Sequence, residues 1–197
     1  MSKAEQPNAL ISVFDKTDLE EFAEGLHELN WNIYSSSGTA KRINEAGIPV
    51  TDVSELVGGG PIFGHRVVTL SREIYAGILA EDTPEDNAEL ENLEIPKIDL
   101  VCVDMYPLGD EISQPNATEQ SVIEKTDIGG PTLLRAAAKS RRIVLSNSEQ
   151  RPEVIDWLKS GRPDDEGFRR GLAAAAERAV AEYVNVSASY IETGLKG

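Results

Sequence analysis

The chain has 197 residues, 40% of them hydrophobic, enough to bury the core of one domain. Its net charge of -15, from 34 acidic and 19 basic residues, argues against nucleic acid or an anionic membrane as partner. The longest apolar runs, LVCV and AAAA, are too short to cross a bilayer, and the single cysteine, Cys102, excludes an internal disulfide. MSKAEQPNAL carries no apolar signal core, so a cytoplasmic protein is expected. Only 8 of the 19 basic residues are lysines, a surface composition that suits a high-salt cytoplasm.

In chain order, NALISVF (8–14) reads as a buried strand. DKTDLEEFAEGLHEL follows as an amphipathic helix, because Leu19, Phe22, Ala23, Leu26 and Leu29 recur at helical spacing. WNIYSSSGTAKRINEAG gives a strand, a polar loop and a helix stopped by glycine, and IPVTDV gives a third strand. This β-α-β-α-β start predicts a mostly parallel sheet sandwiched between helices, a three-layer α/β/α architecture. SELVGGGPIFGH is a glycine-rich loop, RVVTL a short strand and SREIYAGILA a short helix or turn. The acidic EDTPEDNAELENLEIPK is a surface excursion with a short helix. IDLVCVDMYPL is the most apolar strand, ended by Tyr106-Pro107. TEQSVIEKT is helical and RRIVLS is a strand. EQRPEVIDWLKSG and the long Ala-rich DEGFRRGLAAAAERAVAEYVNVSASYIET close the chain as helices. No linker interrupts this order, so residues 1–197 read as a single domain ending in a long helix.

Several stretches can carry chemistry. SSSGT (35–39) lies between a strand and a helix, where free amides and hydroxyls suit a phosphate, although a plain helix cap uses the same residues. In SVFDKT (12–17), Lys16 can reach the same anion. Arg66 is a candidate anion clamp, and His65 beside it a loop histidine. Tyr106 follows a buried strand at the edge where α/β sheets collect ligands, as a hydrogen-bond or proton donor. TDIGGPTLLRAAAKS (126–140) sets Asp127 and Lys139 around a double glycine: two ends of a reactive site, or a turn and a surface charge. Two histidines and one cysteine, widely separated, make no zinc constellation, and neither a Gly-x-Ser-x-Gly elbow nor a dinucleotide fingerprint is present.

ISVFDKT, SSSGTA, AGIPVTDVSEL, DMYPL, DIGGPTLLRAAAK and the final tyrosine-bearing helix together resemble the inosine monophosphate (IMP) cyclohydrolase domain. That domain is the N-terminal half of a bifunctional purine-biosynthesis enzyme whose other half is a formyltransferase. The resemblance runs from about Ala9 to Thr193 and implies a methylglyoxal synthase-like fold in a stand-alone cyclohydrolase domain. The implied reaction is dehydrative closure of the purine ring from a 5-formamidoimidazole-4-carboxamide ribotide, with no cofactor and no metal. Carried over by position, Ser12, Lys16, Ser35, Ser37, Gly38 and Thr39 would hold the ribose phosphate, and Arg66 and Thr69 would line the base side. Tyr106, Asp127 and Lys139 would surround the reacting amides, with Ile128 and Gly129 presenting backbone N–H groups to the base. The resemblance also implies a purine ribonucleotide as partner and a homodimer, and leaves open whether a separate formyltransferase acts upstream.

The departures gather in one segment. Where the family has Asp-Gly-Arg-Val-Lys-Thr-Leu-His-Pro, this chain has GHRVVTLSR, which puts Val68 at the lysine, Ser71 at the histidine and Arg72 at the proline; Tyr75 stands at the next histidine. Asp104 replaces an asparagine. Either His65 or Arg72 supplies the missing charge, or the site has changed job and binds a purine ribotide without closing its ring. Methylglyoxal synthase-like phosphate elimination is a weaker third reading.

Overall fold

The computed structural model describes residues 6–64 and 66–194. Strand β1 (Asn8–Ser12) leads into helix α1 (Leu19–Glu28), whose buried Leu19, Phe22, Ala23 and Leu26 form the stripe expected from their spacing. Strand β2 (Asn32–Ser35), helix α2 (Ser37–Glu45), the two-residue strand β3 (Thr51–Asp52) and the single turn α3 (Val53–Leu56) complete the first half. Helices α4 (Arg72–Leu79) and α5 (Pro84–Asn92) precede the fully buried strand β4 (Leu100–Val103). Next come α6 (Leu108–Ile112), α7 (Glu119–Lys125), α8 (Gly129–Lys139) and β5 (Ile143–Leu145). Helices α9 (Gln150–Lys159) and α10 (Asp165–Thr193) end the described chain.

The five strands form one all-parallel sheet in the order β3-β2-β1-β4-β5. Helices α1, α2 and α9 pack together, while α8 packs with α4 and α10 and lies against β4 and β5. The sheet is buried between them, which explains near-continuous apolar strands such as Leu100-Val101-Cys102-Val103. The expected parallel α/β architecture is therefore present.

Three details differ from the sequence reading, the first being that IPVTDV gives only Thr51–Asp52 as strand and Val53–Leu56 is a helical turn. RVVTL is not a strand: Val67 makes one antiparallel bridge to Ile62, and the rest of the segment is loop. Helix α6 is a further difference: β4 ends at Val103, ahead of Tyr106-Pro107, and Pro107 is the N-cap of α6, its carbonyl accepting from the amides of Asp110 and Glu111. No described helix is long and apolar enough to cross a membrane.

Chain order places the site. From β1 the connections run outward in one direction to β2 and β3, and in the other to β4 and β5. The switch point lies between β1 and β4, which pair with Ser12 opposite Val103. Ligands of open α/β sheets gather beyond the carboxyl ends of such strands.

Candidate functional site

A cleft of about 1010 Å³ opens at that switch point. Its floor is the carboxyl ends of β1 and β4, at Ser12–Phe14 and Val103–Asp104. Ser36 and Ser37 close one end, and Arg66, Val68 and Thr69 form a side wall. Tyr106, Lys125, Asp127 and the Gly129–Gly130 start of α8 form the wall that adjoins Thr69, and Tyr190 and Ile191 of α10 also line the cleft.

At the serine end, Ser36 is the N-cap of α2 in extended conformation, yet its hydroxyl caps no amide of its own helix. It lies 2.8 Å from the Ser12 hydroxyl across the strand ends. Ser37 and Gly38 occupy the first turn, where backbone amides lack intrahelical partners, and both are exposed. Two paired hydroxyls beside such a turn make a seat for an anionic group.

The other residues assigned to this end lie beneath the seat. Ser35 is fully buried and donates to the Ile11 carbonyl at 2.6 Å, so it ties β2 to β1. The buried Thr39 hydroxyl donates to the Val13 carbonyl at 3.2 Å. Lys16 folds back onto the Val13 carbonyl and lies 3.3 Å from Thr39 Oγ1. Burial lowers the Lys16 pKa, and its charge serves the loop under the seat. Neither Ser35, Thr39 nor Lys16 lines the cleft.

Asp104 organises the floor. Its Oδ1 accepts from the Phe14 amide and, at 3.1 Å, from the Asp15 amide. Its Oδ2 accepts from Arg151 Nη2 at 2.9 Å. Arg151 is almost wholly buried and also donates to the carbonyls of Thr17 and, at 2.8 Å, of Asp15. Burial raises the Asp104 pKa, opposed by the two amides and the guanidinium. One arginine on α9 therefore pins the β1–α1 loop to the end of β4. Cys102 sits below in the strand, and burial pushes its thiol up to about 12, which leaves it unreactive.

The wall beside Thr69 is set by glycine. The Gly130 amide donates to Asp127 Oδ1 at 3.0 Å, and a Cβ on Gly130 would fall 2.4 Å from Asp127 Oδ2. A Cβ on Gly129 would meet Thr69 Oγ1 at 3.2 Å. The two glycines let the helix start press against both side chains. Asp127 is half-buried; burial raises its pKa against the amides of Gly130, Gly129 and Tyr106. The Asp127 amide itself donates to the Tyr183 hydroxyl on α10 at 2.5 Å. Ile128 is exposed at the N-cap of α8. The Tyr106 ring meets Phe14 edge-on, with centroids 4.9 Å apart.

The structure brings Ser12, Ser37, Arg66, Thr69, Tyr106, Asp127, Ile128 and Gly129 around one cleft. Lys139 is not among them. It lies exposed in the last turn of α8, ten residues beyond Gly129 and so about 15 Å along the helix. Of the two residues named to replace the missing charge, Arg72 is exposed outside the cleft, and His65 lies outside the described residues. The sequence reading missed Glu111, Lys125 and Arg151. Lys125, two residues before Asp127 at the end of a readable helix, carried a weak signal, whereas the other two become visible only through tertiary packing.

The MGS-like domain model matches residues 18–132. The bifunctional purine biosynthesis protein PurH of Desulfitobacterium hafniense (strain DSM 10664 / DCB-2) is 42% identical over 189 residues, covering 95% of this chain and 36% of that protein. PurH of Thermosynechococcus vestitus is 43% identical over 188 residues, covering 93% of this chain and 36% of that one. The chain thus spans about a third of the length of these relatives. The crystal structure of ForH superposes with a TM-score of 0.84 at 32% identity, covering 97% of this chain and 100% of that one. The chain belongs to the MGS-like domain family, as the type of MGS-like domain that PurH proteins carry.

Proposed function

We propose that this chain is an IMP cyclohydrolase: it closes the pyrimidine ring of a 5-formamidoimidazole-4-carboxamide ribotide with loss of water. The observation that carries the reading is the meeting, in one cleft, of the paired Ser12 and Ser36 hydroxyls with Tyr106, Asp127 and the Gly129–Gly130 turn. The serine end suits the ribose phosphate. The glycine turn lets a planar base approach the backbone, and the cleft volume accommodates a nucleotide. Holding carboxamide and formyl groups at contact distance supplies much of the rate of an intramolecular closure. Asp127, with its pKa raised by burial, is placed as the base for the attacking nitrogen, and Tyr106 as donor to the formyl oxygen. Ser35, Thr39 and Lys16 support the phosphate seat from beneath, and Lys139 has no part in a site built by one chain.

Asp127→Asn and Tyr106→Phe are expected to lower turnover at least about 100-fold while IMP still binds. Full turnover in both variants would remove the assignment. A second reading, a purine-ribotide-binding module without ring closure, draws on the apolar Val68 in the side wall. Calorimetry with IMP that shows binding, alongside no turnover, would favour it. We further propose a homodimer, supported by exposed Ile123, Ile128 and Ile191 around the cleft mouth.

A further inference from the structure

We propose that Lys125 is the cation that stabilises negative charge developing on the ligand in this cleft, and that Glu111 is the positioning residue that holds it there. The proposal rests on the ring-closing reading above. Two cations line the cleft among the described residues, Arg66 and Lys125. Arg66 lies on a loop with its side chain largely exposed and its Nε 3.4 Å from Glu124. Lys125 is fixed more closely: its Nζ is 2.6 Å from Glu111 Oε2 and 5.1 Å from the centroid of the Tyr106 ring. The Tyr106 hydroxyl lies 3.5 Å from the same Glu111 oxygen.

A surface ion pair between flexible chains contributes little and has no fixed geometry. This pair differs on one side. The Glu111 side chain is only 8% exposed, whereas that of Lys125 is 43% exposed. A buried carboxylate needs a partner, so Glu111 constrains where the ammonium goes. The aromatic face of Tyr106 favours the same position. Carboxylate, ring and ammonium come from α6, the β4–α6 loop and α7, so the convergence is tertiary rather than a helix neighbour effect. The hydrogen bond from Lys125 holds the Glu111 carboxyl below its usual range, and that bond raises the Lys125 pKa in turn. The ammonium is therefore charged throughout the neutral range. Val68, which also lines the cleft, offers only methyl groups.

In the ring closure, the carboxamide nitrogen forms the new C–N bond as the formyl π pair moves onto oxygen. One proton from that nitrogen and one from the formamido nitrogen reach the oxygen, which leaves as water; nothing is oxidised or reduced. The charge on that oxygen is greatest before it is protonated. A fixed ammonium acts there without giving up its own proton.

The test compares Lys125→Met, Lys125→Arg and Glu111→Gln with the wild-type protein. Lys125→Met is expected to lower kcat about 100-fold with KM within about threefold, and Lys125→Arg to recover at least about tenfold of the loss. Glu111→Gln should lower kcat less than Lys125→Met does. A kcat for Lys125→Met within about twofold of wild type overturns the proposal. A second readout is independent of turnover. Reductive methylation with 13C-formaldehyde labels the lysines, and the Lys125 resonance is the one missing in Lys125→Arg. Addition of IMP is expected to shift that resonance. No shift up to the solubility limit of IMP overturns the placement of Lys125 at the ligand. A shift without ring closure by the wild-type protein would instead remove the proposed reaction and retain Lys125 as the ligand-facing cation.

Discussion

Replacing Arg151 by methionine should be among the most damaging single changes in this fold, although Arg151 does not line the cleft. The guanidinium is the counter-charge of Asp104, with side chains 1% and 11% exposed at 2.9 Å, and it also satisfies the carbonyls of Asp15 and Thr17. Methionine fills much of the volume but leaves the Asp104 carboxylate buried without its cation. Breaking a buried pair from one side costs about 3–5 kcal/mol, a large share of a stability of about 5–15 kcal/mol. Removing both charges is a different perturbation. In Asp104→Asn with Arg151→Met, the asparagine oxygen can still accept from the Phe14 and Asp15 amides. The double variant should therefore recover at least about 2 kcal/mol of the loss in Arg151→Met. Urea unfolding followed through the buried Trp31 and Trp157 measures each free energy. A cost below about 1 kcal/mol for Arg151→Met, or strict additivity in the double-mutant cycle, would refute the argument.

Four further outcomes are expected. Gly130→Ala puts a methyl group where the Asp127 carboxylate sits, so turnover should fall at least about tenfold; an unaffected rate would show that the carboxylate position is unimportant. Asp127→Asn should raise stability at neutral pH while it removes activity. The folded pKa of Asp127 is raised by burial, so its contribution is full below the unfolded value and is lost as pH rises through the folded one; equal stability of the two proteins at pH 7 would contradict this. Asp15 runs the opposite way: the Thr17 amide, then the Ser148 hydroxyl, hold its pKa at about 2, so its contribution is present above 3.8 and is lost as pH falls towards 2. Asp15→Asn should accordingly flatten the acid limb of a stability–pH curve. Lys139→Ala should leave turnover within about threefold, whereas a 100-fold loss would contradict a site built by one chain.

Much of the fold was legible because its signals are local. The apolar stripe of α1, the glycine stop after α2 and the uninterrupted β4 each follow from a short window of residues. The β-α-β-α-β order then points to the parallel sheet, whereas the switch point between β1 and β4, where Ser12 and Tyr106 line one cleft, follows from a strand order that no short window shows. The short bridge at Val67 was overread as a strand because β-branched residues signal extended backbone but not the presence of a partner strand. Within the site, the motif residues located the cleft but not their own duties. Ser35 and Thr39 are serine and threonine like Ser36 and Ser37, yet strand register turns Ser35 inward and the inner face of α2 buries Thr39, so both lie beneath the seat, where they bond Ile11 and Val13. Lys139 shares a motif with Asp127, but the rise of α8 carries it away. Glu111 and Arg151 stayed hidden because each acts on partners 14 and 47 residues distant, through contacts that no periodicity encodes.

The most direct test is ring closure itself, followed by the ultraviolet change as purified protein converts 5-formamidoimidazole-4-carboxamide ribotide to IMP. The expected result is a rate proportional to protein concentration and far above the spontaneous one, lost in Tyr106→Phe and Asp127→Asn. A folded, IMP-binding protein that leaves the spontaneous rate unchanged would contradict the proposed function.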